Sequence, residues 1–261
     1  MGIEIQDIFR RVIIVTAFIS IFIFISKAQK QPAHVRQYRK YIIAKLGLNV
    51  GKAFYSEFEK DTGFYYYVYA SKADAIALPD TMKGSFFYMG RNAKEAIVKA
   101  KVWAVAGYDT LVYRTAGTSA AMLNSKLLGY SRQNILFIML HEAVHVHLNR
   151  SKIKIPYAFE ESLGDLLGNY GAMFSGLVDY EKARAMTALN ERIYRFLIQC
   201  SSGEISGEAR QHQLSELMKC ADSFRVDRFQ YSVNNAYLLR NQFYTQRYFL
   251  LKHIFFPYPL D

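Results

Sequence analysis

An α+β fold follows from three features of the chain. Short aromatic and β-branched runs cluster in its first half, long helical patterns dominate from residue 131 onward, and no repeat or long linker separates them. The expected architecture is a small mixed or antiparallel N-terminal sheet packed on a mainly helical lobe, preceded by a hydrophobic segment. The 261 residues make one domain, or at most two small ones; 51% are hydrophobic and 21% charged, with only 15 Gly and 5 Pro. That composition excludes extended disorder and collagen-like arrays. Two cysteines exclude a disulfide mini-fold and a four-cysteine zinc site. A formal charge of +11 points to an anionic surface. The Lys and Arg are scattered, without an RNA-binding signature or zinc finger, so a membrane surface is the expected partner and nucleic acid is not.

The chain opens on Val12–Ser26, VIIVTAFISIFIFIS, fifteen residues without a charge, after Arg10 and Arg11 and before Lys27 and Lys30. As a helix this run spans about 22 Å, short of the roughly 30 Å of hydrocarbon in a bilayer. It fits the apolar region of a signal peptide, with Ser26 and Ala28 at the −3 and −1 positions of a cleavage site. A short uncleaved anchor with snorkelling Arg11 and Lys27 is the alternative. Residues 1–28 are therefore expected to be a signal or membrane anchor, and 29–261 the folded domain, associated with the membrane in the cell envelope. The side stays open. An anchor followed by Lys27, Lys30, Arg36, Arg39 and Lys40 favours a cytoplasmic body, whereas a cleaved signal exports it. Cys200 and Cys220 fit either an extracytoplasmic disulfide or two free thiols.

Gln29–Glu59 reads as helical and basic. Strands are expected at Phe64–Ala70, Ala75–Leu78, Ser85–Met89 and Thr110–Tyr113, separated by turn residues such as Gly63, Pro79–Asp80, Gly84 and Gly107. Ala93–Ala106 is a helix between two of them. Helical patterns then cover Gln133–Arg150, Tyr157–Phe174, Tyr180–Gln199, a stretch near Gln211–Phe224, and Asn234–Phe255.

The chemistry concentrates at His141-Glu142-Ala143-Val144-His145, inside a helix that Ser131 can cap. Positions i and i+4 share one face, so both imidazoles can bind one Zn²⁺, with Glu142 beside it to accept a proton from the attacking water. A chance HExxH occurs in on the order of one chain in a hundred of this composition, so partners are needed. Glu161, separated from His145 by fifteen residues and on the next helix, is the candidate third ligand. Asp165 lies on the same face as Glu161 and can accept the second N–H of a ligand histidine. His147 is turned away from the metal face, and His34, His212 and His253 read as ordinary residues.

This segment resembles the gluzincin metallopeptidases, with His141, Glu142, His145, Glu161 and Asp165 as the matching residues. The resemblance sharpens to a bacterial zinc aminopeptidase group that is often found as exported lipoproteins. That group carries counterparts of Leu46-Gly47-Leu48, of Gly107-Tyr108-Asp109, of Phe159-Glu160-Glu161-Ser162, and of Asn234-Asn235-Ala236 with Tyr244 ten residues after Asn234. It runs loosely from about residue 37 to the end. The chain departs from the group in having no cysteine near residue 28, Thr118-Ser119-Ala120-Ala121 in place of Trp-Phe-Asp-Asp, and Glu160 in place of Asn. The resemblance implies a zincin-like lobe, one Zn²⁺, a peptide substrate and Tyr244 as oxyanion donor, a structural tyrosine being the alternative. Glu160 is a candidate for a substrate α-ammonium, or else simply exposed. Gly117 belongs to a candidate edge strand for an extended peptide. A competing expectation is a non-catalytic envelope scaffold that keeps the fold.

Overall fold

The computed structural model describes residues 32–54, 64–73, 85–115, 127–205, 207–223 and 234–256. Val12–Ser26, the expected strand Ala75–Leu78, Gly117 and the Thr118–Ala121 stretch lie outside the described residues. Among the described residues, no helix is long and apolar enough to cross a membrane.

The fold is α+β. Helix α1 (Ala33–Ala44) buries Val35, Tyr38 and Ile42. It ends far short of Glu59 because the chain turns through Gly47 and Gly51, at φ 67° and 52°, a region that Gly enters without a Cβ clash. The amides of Lys45 and Leu46 both return to the Tyr41 carbonyl, and Arg39 clamps the loop through Gly51 O at 2.6 Å and Ala53 O at 3.1 Å.

Three strands follow, β1 (Tyr65–Lys72), β2 (Ser85–Gly90) and β3 (Tyr108–Thr115), in the antiparallel order β2-β1-β3. Helix α2 (Ala93–Val105) links β2 to β3. Asn92 caps it by accepting from Lys94 N and Glu95 N, and Gly107 at φ 84° starts the turn back. Side chains alternate between faces along each strand. Val68, Val112, Tyr66 and Tyr88 pack on Ala96, Ala100 and Trp103 of α2. Tyr69, Leu111 and Tyr113 join the core of the helical lobe.

That lobe contains α3 (Arg132–Arg150), α4 (Tyr157–Phe174), α5 (Tyr180–Ser202), α6 (Gly207–Ser223), α7 (Asn235–Thr245) and α8 (Tyr248–Phe255). Ser131 caps α3 on Asn134 N at 3.2 Å, as its place in the sequence suggests, and Asp179 caps α5 on Lys182 N at 2.9 Å. Each such cap contributes about 1 kcal/mol. Cys200 and Cys220 are both free thiols, Cys200 buried and Cys220 half-buried, so no disulfide joins α5 to α6.

The single helix expected over Asn234–Phe255 is two helices. Ser162 of α4, fully buried, donates to Tyr244 O at 3.0 Å and accepts from Arg247 N at 3.3 Å. One hydroxyl thus satisfies a carbonyl at the end of α7 and an amide at the start of α8, which removes the cost of interrupting the helical ladder there.

Two short motifs far apart in sequence meet at the start of α7. Asp109 accepts from Asn235 N at 2.9 Å, while Asn234 caps α7 on Tyr237 N and donates to Thr110 O. Asn235 donates to the carbonyls of Lys72 and Ala73 at the end of β1. The beginning of α7 is thereby pinned to the ends of β1 and β3, and the rest of the helix is aimed along the sheet.

Candidate metal centre

Helices α3 and α4 supply the centre, and their close approach makes it. A Cβ on Gly164 would stand 2.8 Å from His141 Nδ1, and one on Gly168 would meet Phe137 at 2.8 Å. Only a hydrogen at these positions lets α4 lie against the His141 face of α3. Spaced four residues apart, the two glycines form a small-residue strip that brings Glu161 and Asp165 over the histidines.

The two imidazoles converge as the HExxH spacing predicts: His141 Nε2 and His145 Nε2 are 3.1 Å apart. Glu161 straddles them, with Oε2 3.2 Å from His141 Nε2 and Oε1 3.5 Å from His145 Nε2. Ligands held 2.0–2.2 Å from a tetrahedral ion lie about 3.3–3.6 Å from one another, so this spacing suits one ion. His141, His145 and Glu161 can therefore hold a metal ion.

Each histidine also has a carboxylate on its other nitrogen. His141 Nδ1 is 2.9 Å from Asp165 Oδ1, a close contact off the best hydrogen-bond angle, and Asp165 Oδ2 in turn accepts from Tyr194 OH. His145 Nδ1 is 2.7 Å from Glu160 Oε1. Asp165, expected to accept an N–H from a histidine, lies beside His141 Nδ1 without completing that bond. Glu160, expected at a substrate ammonium or in solvent, is half-buried on His145 instead. If each neutral imidazole keeps its proton on Nδ1, toward the carboxylate, each Nε2 is left as an acceptor. They then face each other and two Glu161 oxygens with no donor among the four. A cation, or protons in its place, resolves that arrangement.

The electrostatics agree. Burial pushes the His141 pKa down, but Asp165 and Glu161 outweigh it and hold the imidazole well above its ordinary 6.5. Burial raises Glu161, while His141, His145 and the Tyr157 hydroxyl more than reverse it. Glu142, one residue from the first ligand, has its pKa raised by burial against the pull of both histidines, and its Oε2 is sealed from solvent with no partner. That is an available proton acceptor beside the ligands.

Phenols surround the cluster. Tyr244 lies with its ring 6.1 Å from the His141 ring, and burial together with the Glu161 charge keeps its hydroxyl protonated. Tyr67 reaches over from β1, its pKa raised by burial and by Glu142 and Glu161. Burial pushes the pKa of Tyr69 up to about 12. Three contributors escaped sequence reasoning. Tyr157 is half exposed, yet its hydroxyl lies near enough to Glu161, four residues along the same helix, to hold that carboxyl's pKa down. Gly164 gives room to His141; glycine in a helix interior was the available signal. Arg240 sits beside Tyr244, with nothing in its local sequence to mark it. His147 accepts from Asn49 N at 2.9 Å, away from the ligands, as its helical phase predicts. Comparison with known families, with characterised proteins and with solved structures finds no match.

Proposed function

We propose that the protein is a zinc-dependent peptidase, and by its resemblance an aminopeptidase of the gluzincin type with a zincin-like lobe. The reading rests on one observation: two imidazole nitrogens and a carboxylate converge on one point, with an unpartnered carboxylate oxygen of Glu142 beside them. His141, His145 and Glu161 hold the ion; when bound, Zn²⁺ supplies a Lewis acid that polarises a carbonyl and acidifies a water. Glu142 accepts the proton of the attacking water at its free Oε2 and delivers it to the leaving amine. Tyr244, kept protonated, donates to the carbonyl oxygen as negative charge develops. Asp165 and Glu160 fix the histidine tautomers. The edge of β3 away from β1 is unpaired among the described residues and leads toward Gly117, which suits an extended peptide added as a further strand. The Val12–Ser26 run attaches or directs this domain to the membrane of the cell envelope.

Metal analysis of the purified full chain tests the reading. About one zinc per chain is expected, falling to a trace in His145→Ala. Glu142→Gln should retain the metal and lose peptide hydrolysis by about 10²–10⁴-fold. Full activity in that variant overturns the mechanism. Bound metal with no hydrolysis across a broad peptide library points instead to a non-catalytic envelope scaffold.

A further inference from the structure

Arg240 carries a charge that its surroundings leave unmatched. Its guanidinium carbon lies 4.0 Å from the centroid of the Tyr113 ring and 4.9 Å from that of Tyr244. Among the described residues it has one hydrogen bond, from a terminal nitrogen to Asn241 Oδ1, at 3.1 Å. Among the described residues it makes no ion pair, although four carboxylates gather at the neighbouring metal centre. Aromatic faces stabilise a cation without using its N–H groups. Most of the five guanidinium donors therefore remain available, on a side chain that is only half-buried. Taking a guanidinium partly out of water without an anion is costly, and α7 is held rigidly enough on β1 and β3 to keep it there.

The position says which anion fits. The Tyr244 ring is 6.1 Å from the His141 ring on one side and 4.9 Å from the Arg240 carbon on the other. The guanidinium and the His141 ring are therefore no more than about 11 Å apart. A peptide segment of no more than about three extended residues, at about 3.3–3.6 Å each, covers that distance. The planar fork of a guanidinium matches a carboxylate through two parallel N–H···O bonds.

We propose that Arg240 receives the free α-carboxylate of a short peptide whose scissile bond lies at the metal centre. The substrates are then dipeptides and tripeptides with an unblocked carboxyl end, and longer chains are excluded by the same contact. Tyr113 and Tyr244 hold the guanidinium in place, so Arg240 binds substrate while Glu142 serves the reaction. This rests on the peptidase reading above.

The test uses the zinc-loaded full chain with alanyl-alanine and trialanine, each against its C-terminal amide. The acids should exceed the amides in kcat/KM by about tenfold or more, mainly through KM. Arg240→Gln should bring the acid-to-amide ratio close to one, and Arg240→Lys should keep part of it, with circular dichroism verifying the fold of both. Calorimetric binding of the same four peptides to Glu142→Gln protein, with and without Arg240→Gln, gives a second ratio that needs no turnover. Equal handling of acids and amides by the wild type, or a ratio that Arg240→Gln does not change, overturns the proposal. Acid-selective binding without any hydrolysis supports the carboxylate receptor and overturns the peptidase reading.

Discussion

Two clusters of polar side chains are built around α4, and they differ in how completely they satisfy themselves. Toward its C-terminal half, Glu191 accepts from Lys252 at 2.7 and 2.8 Å, from Tyr170 at 2.8 Å and from Tyr248 at 3.3 Å. Asn169 joins this cluster by donating to Tyr248 OH and accepting from Asn190. Donors surround the one carboxylate. Toward the N-terminal half the balance is reversed: Nε2 of His141, Nε2 of His145 and both Glu161 oxygens crowd together, and Glu142 Oε2 has no partner. A carboxylate ringed by donors stabilises a fold even where one neighbouring acceptor, here Asn190 Oδ1, is left without a partner. A cluster rich in carboxylates and imidazoles calls for a cation or for protons, and that separates the two.

The comparison can be broken most strongly at Gly164. Gly164→Ala places a methyl against the His141 ring, so it should destabilise the protein by about 1–3 kcal/mol and also weaken metal binding. Thermal unfolding with and without zinc reads both effects. Next come the outer carboxylates: Asp165→Asn or Glu160→Gln should lower metal affinity by about 10–100-fold, measured by competition with a chelating dye. An unchanged affinity in both variants would mean that the histidines are oriented by packing alone. Lys252→Met is the converse. Leaving Glu191 short of its cation should cost about 1–2 kcal/mol, reduced by partial solvent access, with no change in metal content.

The smallest effect is a pH dependence. In the metal-free protein His141 has a pKa above its unfolded value of 6.5, burial being outweighed by Asp165 and Glu161. Its ion pairs then stabilise the fold fully below the ordinary imidazole range, and that contribution is lost as pH rises through the raised value. Metal affinity should move the opposite way, falling on acidification, since protons and metal compete for the same nitrogen. Denaturant unfolding from pH 6 to 9, with and without zinc, tests both signs (a range of about three units suffices). A metal-free stability that increases over that range contradicts the assignment.

Much of this was legible along the chain. The i, i+4 spacing of His141 and His145 and of Glu161 and Asp165, the Ser131 cap and the alternation of β1 are local patterns, and the structure keeps them. The length of α1 and the continuity of the last helix were misread for a common reason. In each case the deciding atoms come from elsewhere: glycine turns clamped by Arg39 in the first, and a Ser162 hydroxyl from α4 in the second. The contact of Glu160 with His145 went unread because the two belong to different helices.

By itself, then, the sequence determined which side chains share a helical face and where most helices begin, because caps and periodicity act over a few neighbouring residues. Tertiary structure alone decided that Gly164 and Gly168 let two helices come close enough for four acceptors to meet. It also decided that Asp109 and the asparagines at 234 and 235 lay α7 along the sheet, carrying Arg240 and Tyr244 toward the candidate metal site. Distances between elements depend on how surfaces interlock across more than a hundred residues of chain, and no local pattern encodes them.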